Sequence, residues 1–229
     1  MKKIAIVLAI TASMGASSVY AGFGSLSSLA STLTESATGV SSSNMDLTGF
    51  FTQAKATNQM FIESRAALAY VLANKQDAEE LKTKLNSFKT TSDVKEKQAI
   101  QQEITKLSAN VLDASKKDEE NTVEQLAALN SEKKQLLLKS MSNFVIAGLS
   151  ARELVVNSKQ VSMSLLSNPT GLSNTGLSLV DAKSLLGDVS GIAKNSTMAI
   201  VEYPKLLKKA GIEFKAPESS ASKTQEITL

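Results

Sequence analysis

Apolar side chains recur along most of this chain at alternating steps of three and four. Leu81, Leu85 and Phe88 begin the rhythm; Ile100, Ile104, Leu107, Val111 and Ala114 continue it. Leu137, Met141, Phe144, Gly148, Ala151 and Val155 carry it further, and Leu179, Ala182, Leu186, Val189, Ala193, Ser196 and Ile200 repeat it near the end. Such steps put one face of a helix toward other helices, as in the seam of packed antiparallel helices or a coiled coil. No sustained period-two run exists, so no sheet is predicted. Between Gly49 and Pro169 the only glycine is Gly148, and the span is rich in Ala, Leu, Lys, Gln and Glu, which favours helix by propensity as well.

Capping chemistry suggests where the helices begin and end. Ser43 or Asn44 offers a cap for a first helix running to about Phe88. Lys89 to Thr91 reads as a tight turn, with a second helix from Ser92. In "SKKDEENTVEQ", Lys116 and Lys117 suit a helix end while Asp118, Glu119 and Glu120 suit a start, and Thr122 with Gln125 has capping-box spacing. Lys116 and Glu120 could equally pair on an unbroken helix. The sequence leans toward a break or kink, since a continuous helix over 92–167 would be about 114 Å long. Pro169, Gly171 and Gly176 punctuate a connector. A last helix starts near Ser178, is ended or bent by Pro204, and is followed by a short helix closed by Gly211.

The stretch "KKQLLLKSMSNFVIAGLSARELVV", residues 133–156, holds twelve uncharged residues between Lys139 and Arg152. Twelve residues make about 18 Å of helix, too short for a hydrocarbon core of roughly 30 Å. Ser140, Ser142, Asn143 and Ser150 lie off the apolar seam, so the stretch reads as a helix packed on its apolar front with a polar back. Gly148 on that seam implies a close approach by the last helix, with Gly187 and Gly191 as the candidate partners. The GxxxG spacing of Gly187 and Gly191 also occurs between membrane helices, but Asp188 and Lys194 make lipid burial unfavourable. Charge is distributed unevenly: 24 charged residues, twelve of each sign, fall in 75–139, and only eight in 140–203. The charged half reads as solvated helix surface.

The N-terminus has Lys2 and Lys3, a short apolar segment from Ile4 to Ile10, and small residues ending in Val19-Tyr20-Ala21. This is the pattern of an export signal cleaved after Ala21, and the apolar part is too short to span a bilayer. Removing Lys2 and Lys3 from the 25 basic residues leaves 23 against 22 acidic ones, which provides no field for nucleic acid. The absence of cysteine means that stability must come from the core, which a chain of this length can supply. Residues 22–43 form a Ser/Thr-rich leader, in which Leu26, Leu29 and Leu33 could form a short amphipathic segment; 215–229 reads as a disordered tail.

The fold expected is therefore all-α: an elongated antiparallel bundle of three to four long helices over 44–214, following a signal peptide over 1–21. With no histidine or cysteine, Ser-His-Asp and Cys-His catalysis, His-ligated metal and thiolate sites are excluded. No phosphate-binding glycine motif occurs. Glu79-Glu80 and Glu119-Glu120 are adjacent pairs pointing about 100° apart on a helix and cannot converge on one substrate. Phe50, Phe51, Phe61, Tyr70, Phe88, Phe144 and Tyr203 are spaced as core residues, and there is no Trp for a sugar platform. No catalytic, cofactor-binding or metal-binding residue is expected. The function expected is that of an exported, non-enzymatic interaction or structural protein of the bacterial periplasm or exterior. It would act through helix faces as an adaptor, chaperone or assembly subunit, with a protein partner that could be a second copy of itself. The alternative is a membrane-active helical protein that touches lipid without spanning it.

Overall fold

The computed structural model describes residues 47–167, 172 and 177–229. The expected signal peptide, the leader, the Ser43 or Asn44 cap and most of the Pro169–Gly176 connector lie outside those residues. The described chain is all-helical, without strands. Its six helices are α1 (Leu47–Leu72), α2 (Lys75–Thr90), α3 (Val94–Lys117), α4 (Glu119–Ala127), α5 (Ser131–Ser167) and α6 (Leu179–Lys209). Six helices stand where three to four were expected, and each extra boundary has a polar cause.

The first long helix is divided at Ala73–Asn74. The Asn74 side chain accepts from the Asp77 backbone N–H at 3.0 Å and donates to the Asp77 carboxylate at 2.8 Å, so α2 starts afresh. A second unexpected boundary is set by Asn130, whose side chain accepts from Lys133 N at 2.9 Å and starts α5. The break at "SKKDEE" does occur, but its cap is Asp118. Thr122, the expected cap, instead donates its hydroxyl to the carbonyls of Ser115 and Asp118, both at 2.8 Å, and bridges the junction. Asp93 caps α3 by accepting from Glu96 N at 2.8 Å, close to the turn the sequence suggests. Pro204 neither ends nor separates the last helix, which runs through to Lys209. Gly211, at φ +70, closes it with bonds from Ile212 N to Leu207 O at 2.8 Å and from Gly211 N to Lys208 O at 3.1 Å. This pair of bonds is a Schellman closure, in which glycine takes the left-handed position without a Cβ penalty.

α1 is the centre of the packing. It touches all five other helices, and every residue from Ala56 to Ser64 is buried. α2 packs on α3 as well as on α1, and α6 lies against α5. Phe51, Met60, Leu68, Leu81, Leu85, Phe88, Ile104, Met141, Ile146 and Leu154 are essentially inaccessible. Each such side chain contributes about 1.5–3 kcal/mol by leaving water. Phe61 of α1 meets Phe144 of α5 with ring centroids 4.9 Å apart.

α5 differs from the one-sided helix the pattern suggests. Ser140, Asn143 and Ser150, placed on a polar back, are fully buried alongside Leu137, Met141, Phe144 and Ala151. Ser140 tolerates burial because its hydroxyl donates to the Leu136 carbonyl one turn back, at 2.7 Å. Asn143 is satisfied from outside the helix. Its side chain donates to Gln225 O at 2.7 Å and accepts from Gln225 N at 2.8 Å. Residues 215–229, expected to be disordered, thus include a segment from Ser220 to Ile227 that is docked on α5 and the end of α2. Ser220 donates to Glu153, Lys89 donates to Ile227 O at 2.7 Å, and Ile227 is only 1% exposed. Small polar residues gave no periodic signal because this segment is held mainly through its backbone.

The inward face of α6 is turned slightly from the one counted in the sequence. Ala182, Leu185, Val189, Ile192, Ser196 and Tyr203 are buried, while Leu179 is exposed and Leu186 and Ile200 are half-buried. The close approach at Gly148 is present, with a different partner from the expected one. A Cβ on Gly148 would lie 2.6 Å from Ser196 Cβ and 3.1 Å from Ile200 Cδ1, whereas Gly187 and Gly191 have open space beside them. Gly148→Ala is therefore expected to lose about 1–3 kcal/mol through overpacking, despite alanine's better helix propensity, and Gly148→Leu to lose more. Urea unfolding of both variants beside the parent checks this. A Gly148→Ala protein as stable as the parent would show that the two helices separate freely at this crossing.

Candidate functional site

α6 is fastened most firmly over its C-terminal half. Besides the crossing at Gly148, Lys116 Nζ on α3 lies 3.2 Å from Glu202 Oε2, and Lys209 pairs with Glu119 at the start of α4. Tyr203 is buried between these fastenings, and burial holds its hydroxyl well above the usual tyrosine range. Over residues 180–195 the space between α6 and α3 is open. It forms a groove of about 590 Å³, with α1 as its floor and Gln101 and Thr105 of α3 on the far wall.

The groove has three notable surfaces. Its floor is Phe61, Ile62 and Arg65, with the Arg65 guanidinium 6.0 Å from the Phe61 ring centroid. That distance is within cation–π range and keeps the long Arg65 side chain along the floor. Its α6 wall includes Gly187 and Gly191, one turn apart, where no side chain obstructs an approaching backbone. Val180 stands 67% exposed at one end. On the α3 wall, the Gln101 side-chain oxygen is shielded from solvent and has no protein partner.

Lys183, Lys194 and Arg65 face this space together with the carboxylate of Asp188. Burial lowers the pKa of Arg65 and raises that of Asp188 from 3.8 to about 6. Asp188 is therefore ionised at neutral pH and becomes neutral in mild acid, leaving a groove lined by cations alone.

The sequence expects no catalytic, cofactor or metal residues. Among the described residues, no group of three or more carboxylates, histidines or cysteines could hold a metal ion. The two carboxylate pairs are solvent-exposed. Glu80 stands 3.3 Å from Lys84, and Glu119 is paired with Lys209. Gly187 and Gly191, singled out in the sequence for close helix packing, belong instead to the groove wall. Arg65 and Gln101 were not legible as groove residues: α1 has no apolar stripe against which Arg65 would stand out, and the period of α3 describes only its buried side. No family model matches this chain, and no curated protein or solved structure matches it.

Asp188 gives the groove a measurable signature. Because its folded pKa is raised, ionisation opposes folding. The associated stability is complete below about pH 4 and is lost as pH rises to about 6. Asp188→Asn is expected to be more stable than the parent at pH 7, with the difference shrinking toward pH 4. Urea midpoints at the two pH values measure it. A variant less stable than the parent at pH 7 would mean that Asp188 is held by a cation of the groove.

Proposed function

We propose that this chain is an exported, non-enzymatic interaction protein. In this reading it is an elongated helical bundle working as an adaptor, chaperone or assembly subunit in the bacterial envelope, and the groove between α3 and α6 receives a helix from a partner protein. The observation that carries the reading is the groove itself. Residues 180–195 make a wall about 22 Å long, enough for some fifteen residues of a partner helix. The open faces of Gly187 and Gly191 favour a closely approaching backbone, and Phe61, Ile62 and Val180 offer apolar contact. Arg65, Lys183 and Lys194 favour an amphipathic partner with acidic flanks. Export rests on the charged, apolar and small-residue pattern of residues 1–21.

Leucines at Gly187 and Gly191 would fill the groove from its wall. Each replaces glycine in a helix at a place with free space, so the doubly substituted protein should be as stable as the parent or up to about 1–2 kcal/mol more stable. In parallel captures from envelope extract, the parent should retain a protein with an acidic amphipathic helix that the substituted protein loses. Identical captures by the two would overturn the groove as the working surface.

Exposed apolar side chains favour a second reading, a membrane-active protein. Val156 and Met163 of α5 and Val201 of α6 are all more than half exposed. No helix among the described residues is long and apolar enough to cross a membrane, and the apolar stretch of α5 is already packed against α1 and α6. Leakage of anionic liposomes at micromolar protein would favour this reading over the first.

A further inference from the structure

The docked C-terminal segment occupies a site with its own recognition chemistry. Asn143 sits in the middle of α5, fully buried, with both halves of its amide directed at one residue of the segment. It reads the backbone N–H and C=O of Gln225, as a neighbouring strand would. Two residues on, Lys89 at the end of α2 takes the Ile227 carbonyl at 2.7 Å while the Ile227 side chain is buried. Upstream, the Ser220 hydroxyl donates to both oxygens of Glu153, each at 2.7 Å. Backbone reading at one position with a buried aliphatic side chain two positions later is the recognition mode of an extended peptide.

The segment is tethered rather than built in. It follows Gly211, contains no helix or strand, and turns at Ser219–Ser222 through a bond from Ser222 N to Ser219 O at 3.1 Å. A depression of about 270 Å³ between α5, residues 213–215 and Gln225 leaves its two legs incompletely packed. We propose that the cleft marked by Asn143, Lys89 and Glu153 is an extended-peptide binding site whose outside ligand is the same C-terminal segment of a second copy of this chain, so that copies join by exchanging tails. A second copy is the occupant because its segment reproduces every contact described above, and a short unstructured hinge lets it reach across. In the isolated protein the tethered tail has an effective concentration in the millimolar range and keeps the cleft filled in cis. Exchange therefore requires the cis tail to be disabled or the copies to be concentrated. This surface is separate from the α3–α6 groove, and the proposal does not depend on the function assigned to that groove.

Two complementary full-length variants test it. Ile227→Lys leaves the cleft intact but makes the tail unable to dock; Asn143→Leu leaves the tail intact but removes the amide that reads Gln225. Each alone should sediment as a monomer, and an equimolar mixture at 100 micromolar should contain a heterodimer that dissociates when unlabelled peptide Ser219–Leu229 is added. The same peptide carrying a fluorophore should bind Ile227→Lys at least tenfold more tightly than the parent, whose cleft is filled. If Ile227→Lys does not fold, Gln225→Pro takes its place, since proline removes the N–H that Asn143 accepts without altering the buried isoleucine. A mixture that remains monomeric overturns the exchange. Peptide binding without a heterodimer would assign the cleft to a segment of another protein, and no binding would reduce the tail to a fixed strap.

Discussion

A helix with almost no solvent face must be given partners in every direction, and α1 imposes that demand on the whole molecule. From Ala56 to Ala69 only Arg65 is not fully buried, so neither an apolar stripe nor a polar back can be drawn on this segment. α5, α3, α2 and α6 each cover part of it, and α4 covers a smaller part. The breaks between the outer helices, set by the caps at Asn74, Asp118 and Asn130, let short pieces of helix cover a cylinder about 10 Å wide. α2 and α3 fold back on each other beside it, and the short α4 turns the chain so that the long α5 can return along it. The groove forms where this wrapping is incomplete, between α3 and α6.

The same burial explains the charge inside. Glu63, on α1, is only 1% exposed; its carboxylate accepts from Gln59 at 2.9 Å and lies 3.7 Å from Lys89 Nζ. Burial raises its pKa, and Lys89, the Gln59 hydrogen bond and Lys97 offset only part of that rise. Lys97 is itself buried, its ammonium 5.0 Å from the Phe88 ring centroid. Desolvating a carboxylate is costly unless cations and donors accompany it, so the arrangement fixes how α2 sits against α1 more than it adds to stability. Lys89 connects this interior charge to the docked tail, since the same ammonium that faces Glu63 also holds the Ile227 carbonyl.

Much of the helical content was legible because it rests on local rules. The absence of breakers and the three-four spacing gave the all-helical class, and Gly148 marked a real close approach. What escaped were features with no local period. Asn74 and Asn130 start new helices by side-chain capping in stretches that contain neither glycine nor proline, so each looks like an ordinary polar position on a continuing helix. Ser140 and Asn143 look like a solvated face, yet one is satisfied by its own helix and the other by a segment 82 residues away. The groove could not be read from the sequence either. It is a space between three helices, and Gly187 and Gly191 line it for the same reason that they seemed suited to close packing: they carry no side chain.

The order in which the chain is made gives the central position of α1 a temporal cost. α1 leaves the ribosome first among the described helices, but α5, with which it makes its most extensive contact, ends 95 residues after Leu72. At about 5–20 residues per second, that interval lasts roughly 5–19 s, during which Phe51, Met60 and Leu68 have no complete shelter. Most contacts of the molecule are local, so each helix can form as it emerges, but the closure of α5 and α6 over α1 has to wait until late in synthesis. The part of the fold that ends most deeply buried is thus also the part whose cover arrives last.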